Sequence, residues 1–171
     1  TLGAGALNGC TKITKVILPS NMTEIPDSLF QNCTSLTEVV CKGTITKIGK
    51  SAFAGCTALT VAPIASTVTS IGTNAFQGCT GLTEVTIPAF LKTLPNYAFD
   101  GCTNLATVNW NTVLTTINNY AFQNCVKLTS LNLPNTVTTL GTQAFYGCTG
   151  LTTLVLPDSV TNLGPALSMM G

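Results

Sequence analysis

Apolar and polar positions recur along the chain with a fixed spacing of 23 residues. Phenylalanine or leucine stands three residues before a cysteine in every repeat, and leucine or isoleucine stands three residues after it. Of the eight cysteines, only Cys41 lies outside this period. The seven that follow it are Cys10, Cys33, Cys56, Cys79, Cys102, Cys125 and Cys148. A period of this length indicates stacked repeats, each of which buries its apolar side against its neighbours.

Each repeat contains two extended pieces and a turn. In residues 82–87, apolar residues alternate with threonine and glutamate, which is typical of a short strand with one buried side. Residues 68–71 predict a second extended piece, and Ala75-Phe76 predicts a short helical turn for which Thr73 is a suitable N-cap. We therefore expect one β-rich solenoid domain over residues 1–171, with about seven turns and short helical or 3₁₀ segments.

The residue before each repeat cysteine is always glycine or asparagine. These two residues adopt positive φ most readily, so the column predicts a left-handed backbone position that redirects the chain into the next strand. The members of this column are Gly9, Asn32, Gly55, Gly78, Gly101, Asn124 and Gly147.

Two segments of the chain, CTGLTEVTIP (79–88) and IGTNAFQGC (71–79), carry a specific resemblance. They resemble the BspA-like, or Treponema pallidum-type, leucine-rich repeat family, and the match spans essentially all 171 residues. This resemblance implies a right-handed leucine-rich-repeat superhelix with a parallel sheet on one face. It also implies an extracellular or cell-surface location and a role in recognition, adhesion or surface structure, without catalytic residues to transfer.

Composition narrows the classes of partner. Charged residues make up 8% of the chain, the formal net charge is +1, and arginine and histidine are absent. A nucleic-acid interface and an anionic-membrane interface both require a basic excess that is missing here. No apolar run approaches the length of a membrane span, so we expect no membrane insertion. We also expect no enzyme activity, no cofactor and no metal.

The cysteine column has four interpretations: disulfides, metal ligands, nucleophiles or core residues. Neighbouring turns of a solenoid lie close enough for a bridge, but seven members of one column cannot all pair. No C-x-x-C pair exists, and without histidine the common zinc sets cannot form. We expect free buried thiols, including Cys41, which replaces leucine or isoleucine in its own column.

Exposed strand positions form the candidate ligand face. Two explanations stay open: threonine and its neighbours suit an exposed strand by propensity, or they contact a protein or glycan ligand. Glu38 and Glu84 share a column at a separation of about 9–10 Å from strand spacing, a range that inverting glycosidases use, but the open face favours solvated carboxylates. The residues we single out as a ligand face are Glu84, Thr86, Thr107, Asn109, Ser130 and Asn132.

Two further expectations concern modification and assembly. Asn21 begins one of two N-x-[ST] sequons and is the better glycosylation candidate, because Asn32 lies in the tight glycine/asparagine column.

The end turns lack polar caps, which predicts a segment of a longer array or a unit that stacks on itself. The leading hypothesis is surface recognition or adhesion through the exposed sheet. The alternative is a structural protein that polymerises head to tail into surface filaments.

Overall fold

A computed structural model describes residues 2–164, and within them the chain forms thirteen short strands and no helix. The strands alternate between two faces of a solenoid. The first face holds β1 (Lys15–Leu18), β3 (Glu38–Cys41), β6 (Glu84–Thr86), β8 (Thr107–Asn109), β10 (Ser130–Asn132) and β12 (Thr153–Val155). The second face holds β2 (Glu24–Ile25), β4 (Lys47–Ile48), β5 (Ser70–Ile71), β7 (Thr93–Leu94), β9 (Thr116–Ile117), β11 (Thr139–Leu140) and β13 (Asn162–Leu163).

Every ladder is parallel, and partner residues lie one repeat apart, as in Val16 and Val39. The first face is not continuous, since its ladders join β1 to β3, β6 to β8 and β10 to β12. On the second face, β2, β4 and β5 form one sheet, and β7, β9, β11 and β13 form another. The solenoid is confirmed, but the expected single sheet is divided into short ladders.

The number of turns is about six, rather than the seven that we expected. Seven repeat cysteines bound six complete turns between Cys10 and Cys148, because each pair of consecutive cysteines encloses one repeat. The expectation for the C-terminal end of the solenoid concerns residues 165–171, which lie outside the described residues.

The predicted helical segments are wrong for residues 2–164, and the backbone shows why. Two residues per repeat adopt positive φ, one directly before the cysteine, as predicted, and another four residues earlier. In one repeat these are Asn74 at 61° and Gly78 at 70°. A left-handed residue ends a right-handed helical segment, so the chain forms consecutive tight turns instead.

Backbone hydrogen bonds of these tight turns run alternately within one repeat and to the next. The N–H groups of Phe53 and Gly55 donate to the carbonyls of Ala75 and Gln77, at 2.8 Å each. The intervening Ala54 donates to the carbonyl of Ser51, three residues back, at 3.2 Å. The turns therefore satisfy their buried backbone groups by stacking, as the strands do.

Side chains in the column of Thr73, where we expected helix N-caps, bond to the neighbouring repeat instead. The Asp27 carboxylate oxygen Oδ1 accepts a hydrogen bond from the backbone N–H of Lys50 at 2.8 Å, and Asn119 Oδ1 accepts one from the N–H of Thr142 at 2.8 Å. Each donor lies 23 residues after its acceptor. These side chains fix the register between turns.

Phenylalanine rings form the centre of the core. The six rings from Phe30 to Phe145 are fully or almost fully buried and lie in one column with centroids 5.1 to 5.6 Å apart. Half-buried Leu7 stands in this column in the first turn. Stacked aromatic pairs at this spacing add stabilisation beyond the apolar area that they bury.

Threonine hydroxyls reinforce the register on the solenoid surface. Thr69 Oγ1 donates to the Thr46 carbonyl at 3.4 Å, and the Thr69 backbone N–H donates to the same oxygen at 2.9 Å. The same arrangement joins Thr138 to Thr115 and Thr152 to Thr129. Many of the 31 threonines therefore have an architectural role that the sequence interpretation did not include.

We expect Phe99→Ala to lower the free energy of unfolding by about 3–5 kcal/mol, because the substitution leaves a cavity between two stacked rings. Phe90→Ala provides a matched control, since Phe90 is 69% exposed, and it should change stability by less than about 0.5 kcal/mol. Urea unfolding of both variants measures the difference. Equal losses would show that the column does not carry the core.

Candidate functional site

All six predicted ligand-face residues are exposed, because strand alternation turns them away from the core. In β6, for example, Glu84 and Thr86 are exposed while Val85 between them is fully buried. The remaining four are Thr107, Asn109, Ser130 and Asn132. The structure divides the six residues into two groups.

The first group is a hydrogen-bonded polar cluster across β6 and β8. Asn109 Nδ2 donates to Glu84 Oε1 at 2.6 Å and to Thr86 Oγ1 at 3.2 Å. Thr86 lies directly opposite Asn109 in the parallel ladder, and Glu84 lies diagonally across it. The carboxylate is held in place by the amide, and together with the Thr86 hydroxyl it forms a fixed set of hydrogen-bonding groups.

The second group, Thr107, Ser130 and Asn132, lines a cleft between β8 and β10. No ladder joins these two strands within residues 2–164, and they do not approach as closely as paired neighbours do. The cleft has a volume of about 320 Å³. We refer to it as the β8–β10 cleft.

Trp110 lies where β8 and β10 fail to pair. It stands in a column that otherwise holds leucine, isoleucine and Cys41, and its half-buried ring packs edge-to-face against Phe122 of the same repeat, with centroids 5.9 Å apart. An indole is much larger than the side chains of that column. It lines the β8–β10 cleft beneath the exposed face.

A second depression lies on the other side of Trp110, where β6 and β8 end. This β6–β8 groove has a volume of about 440 Å³, and its lining is uncharged: Ile64, Ser66, Thr86, Ile87, Pro88, Ala89, Trp110, Asn111 and Thr112. Trp110 thus borders both depressions. Sequence analysis missed this role, although the only tryptophan of the chain stands out from its column.

Asn111 fixes one wall of the groove. Its Nδ2 donates to the carbonyls of Pro88 and Leu91 at 2.8 and 2.7 Å, and its Oδ1 accepts from the backbone N–H groups of Val113 and Leu114. At 9% exposure it is the only buried polar residue within residues 2–164. Its four bonds join the turn of residues 88–91 to the segment that follows Trp110.

The N-terminal part of the first face combines exposed apolar residues with one ion pair. Ile17 and Val61 are 56% and 60% exposed, and Val40 and Pro63 are half-buried beside them. Lys15 and Glu38 form an exposed ion pair with 3.7 Å between Nζ and Oε2. Polar recognition chemistry is therefore concentrated from β6 to β10.

Glu38 and Glu84 do not form an enclosed carboxylate pair. Glu38 is paired with Lys15, and Glu84 is bonded to Asn109 on another ladder. Tyr97 and Tyr120 stack with ring centroids 4.7 Å apart, as their shared column predicts. Asn21 is exposed near the N-terminal end, and its glycosylation stays a prediction.

All eight cysteines are free, as expected, and six of them are buried. The expected burial is wrong for Cys41 and Cys10, which are half-buried. Each buried thiol donates to a backbone carbonyl of the preceding turn, as in Cys56 Sγ to Phe30 O at 3.0 Å. Burial raises the pKa of Cys56 to about 12 and that of Cys148 to about 11. These protonated thiols are structural hydrogen-bond donors rather than nucleophiles.

The raised thiol pKa values predict an alkaline loss of stability. The unfolded Cys56 thiol ionises near 9 and the folded one near 12, so its contribution is complete below pH 9 and decreases as pH rises towards 12. Between these limits, Cys56→Ser should reduce the slope of unfolding free energy against pH by about 1.4 kcal/mol per pH unit. Urea unfolding from pH 8 to 11 measures it. Half-exposed Cys10, changed to serine, is the control, and an identical effect would contradict the burial argument.

Groups that could hold a metal ion are absent among residues 2–164. Over the same range, no helix has the length and apolar character needed to cross a bilayer.

Comparison with known proteins identifies the class of this solenoid. Six copies of the BspA type leucine-rich repeat region match residues 1–83 and 49–167. Because these matches cover nearly the whole chain, the protein belongs to the BspA-type leucine-rich repeat family, as the motifs indicated. No curated protein matches it.

Solved structures agree with this assignment. A leucine-rich repeat protein from Bacteroides ovatus is 31% identical with a TM-score of 0.76, over 95% of this chain and 48% of that one. The T. pallidum leucine-rich repeat protein is 27% identical with a TM-score of 0.78, over 93% of this chain and 72% of that one. The pneumococcal vaccine antigen PcpA is 25% identical with a TM-score of 0.60, over 90% and 47%. This chain thus spans about half the length of the Bacteroides protein.

Proposed function

We propose that this chain is an extracellular or cell-surface recognition module that binds a protein or glycan through its exposed sheet, in adhesion rather than catalysis. The observation that carries this proposal is the preformed polar cluster of Glu84, Thr86 and Asn109 on an open face. Preorganised hydrogen-bonding groups lose little entropy when a ligand binds. The structural similarity of this chain to the pneumococcal vaccine antigen PcpA supports an exposed location.

The core beneath the cluster makes a rigid platform. Val85 and Leu82 are fully buried, and Val108 packs against the same core. Binding residues supported in this way on strands hold their geometry better than residues on loops do. The solenoid supplies the extended surface that repeat proteins use for recognition.

The double variant Glu84→Gln/Asn109→Val tests recognition. We expect at least about a tenfold loss of binding to arrays of extracellular proteins and glycans, because a charge-assisted hydrogen-bonding pair is removed. Thermal unfolding should change little, since both side chains are exposed. Asp158→Asn, an exposed acid in a distant turn, is the matched control and should bind as the unmodified chain does. Unchanged binding by the double variant would contradict the proposal.

We infer a second candidate function, head-to-tail assembly, from a depression beside β1. It has a volume of about 480 Å³, and its lining combines apolar side chains, Leu2, Val16, Leu18 and Met22, with the polar ones Asn21, Thr23 and Glu24. A turn of the same repeat from a second copy would match the apolar part of this surface.

Sedimentation velocity tests this assembly. If copies stack, the unmodified chain should form species whose size increases with concentration, and Val16→Lys should abolish them because it places a charge on the apolar part of the cavity lining. Lys15→Thr, on the outward side of the same strand, is the control and should assemble normally. A concentration-independent monomer would rule out assembly and leave the recognition proposal intact.

A further inference from the structure

Departures from the repeat concentrate around Trp110. Trp110 replaces an aliphatic residue, Asn111 stands in a column with four prolines, and Phe90 stands in a column rich in threonine. Trp110 and Asn111 line the β6–β8 groove, and Phe90 directly follows Ala89 of its wall. Local departures from an otherwise consistent pattern are expected at functional sites.

The surroundings of Trp110 combine an aromatic surface with neutral hydrogen-bonding groups on both sides. Thr107, Ser130 and Asn132 lie in the β8–β10 cleft, and Thr86 and Thr112 lie in the β6–β8 groove. The two volumes, about 320 and 440 Å³, are within the range of small-ligand sites of about 300–1,000 Å³. Strand β8 and its half-buried tryptophan separate them.

The lining selects a class of ligand by its charge. Neither depression has a charged residue in its lining. The nearest ionised group on the adjoining strands is Glu84, whose Oε1 is bonded to Asn109. Anionic ligands such as phosphates, sulfated glycans and nucleic acids therefore find no counter-charge here. Hydroxyl groups, which both donate and accept, suit the threonine, serine and asparagine side chains.

The far side of the turns that carry β8 and β10 stays closed, which argues against an added peptide strand in the cleft. An inserted strand requires two strand spacings, about 9.6 Å, between β8 and β10 along their whole length. On the far side of the same turns, β9 remains paired with β11, and the rings of Phe99, Phe122 and Phe145 stay 5.4 to 5.6 Å apart. The opening is therefore a wedge confined to the exposed face.

We propose that Trp110 and the two depressions beside it form a binding site for a neutral oligosaccharide. The apolar face of a sugar ring would contact the indole, while its hydroxyl groups bond to Thr107, Ser130 and Asn132 on one side and Thr86 on the other. Asn111 positions the groove wall without contacting the ligand, since its hydrogen bonds are already made. This inference rests on the proposed recognition function and names its ligand class.

The unique tryptophan makes the test site-specific. The purified chain is screened on an array of neutral, sulfated and sialylated oligosaccharides, and the neutral structure retained best is titrated in solution. We expect a saturable change in tryptophan emission and a binding heat with the same dissociation constant. The inference would be overturned if the chain retained only charged glycans, or if it retained no glycan at all.

Three variants locate the site by calorimetry. Trp110→Leu restores the aliphatic residue of the column, so it should fold normally and bind at least about tenfold more weakly. Thr107→Val should weaken binding by about three- to tenfold through one lost hydrogen bond. Thr153→Val changes the same exposed column on β12, outside both depressions, and should bind normally.

The outcomes separate this inference from recognition in general. If Trp110→Leu binds the sugar normally while Glu84→Gln/Asn109→Val does not, the glycan site at Trp110 is wrong and recognition by the sheet stands. If the array shows no glycan binding but a lysine-bearing peptide binds with the same dependence on Trp110, the ligand class is wrong. If no variant on the exposed face changes binding, both proposals fail.

Discussion

The strict register between neighbouring turns is the constraint on which the rest of the structure depends. Backbone N–H groups donate to carbonyls of an adjacent turn, thiols and threonine hydroxyls donate to the turn before, and phenylalanine stacks on phenylalanine. All of these contacts depend on a constant repeat length of 23 residues, and one insertion would misalign every column in the turn that carried it. The glycines show how close the turns lie: a Cβ on Gly72 would meet the backbone of Lys50 at 2.5 Å, so that position has space for glycine alone.

The same constraint explains which features could be predicted from the sequence. The columns predicted the strands, the aromatic core, the left-handed glycine/asparagine position and the free buried cysteines, because each depends on one residue type that recurs. The second left-handed position was missed, since Ser51, Asn74 and Tyr97 share no chemical property that would mark it. With that position unrecognised, Ala75-Phe76 favoured a helix by local propensity. Bonds between turns outweighed that propensity, and side chains such as Asp27 cap the neighbouring turn.

The strand ladders are interrupted where single residues differ from the rest of their column, which the consensus repeat does not show. Pro95 has no N–H to offer the Ile71 carbonyl, the position at which neighbouring turns form a backbone bond, and the ladder between β5 and β7 is missing. Pro63 likewise lies in a turn that contributes to the first face only the isolated bridge of Val61 to Glu84. Trp110 stands at the third interruption. Each break in this solenoid thus coincides with a residue that departs from its column, so the positions of the breaks could have been found by comparing each repeat with the others.

The missing ladders lower stability, and this loss distinguishes the candidate site at Trp110 from the other two interruptions. A broken ladder gives up backbone hydrogen bonds between turns. The two proline interruptions have no comparable arrangement of uncharged hydrogen-bonding side chains around an aromatic ring. At Trp110, by contrast, the missing pairing coincides with Asn111. Its four hydrogen bonds join the turn of residues 88–91 to the segment that follows Trp110. A purely steric accident would not require that support, whereas a binding surface does, because an aromatic platform recognises a ligand only when its orientation is fixed.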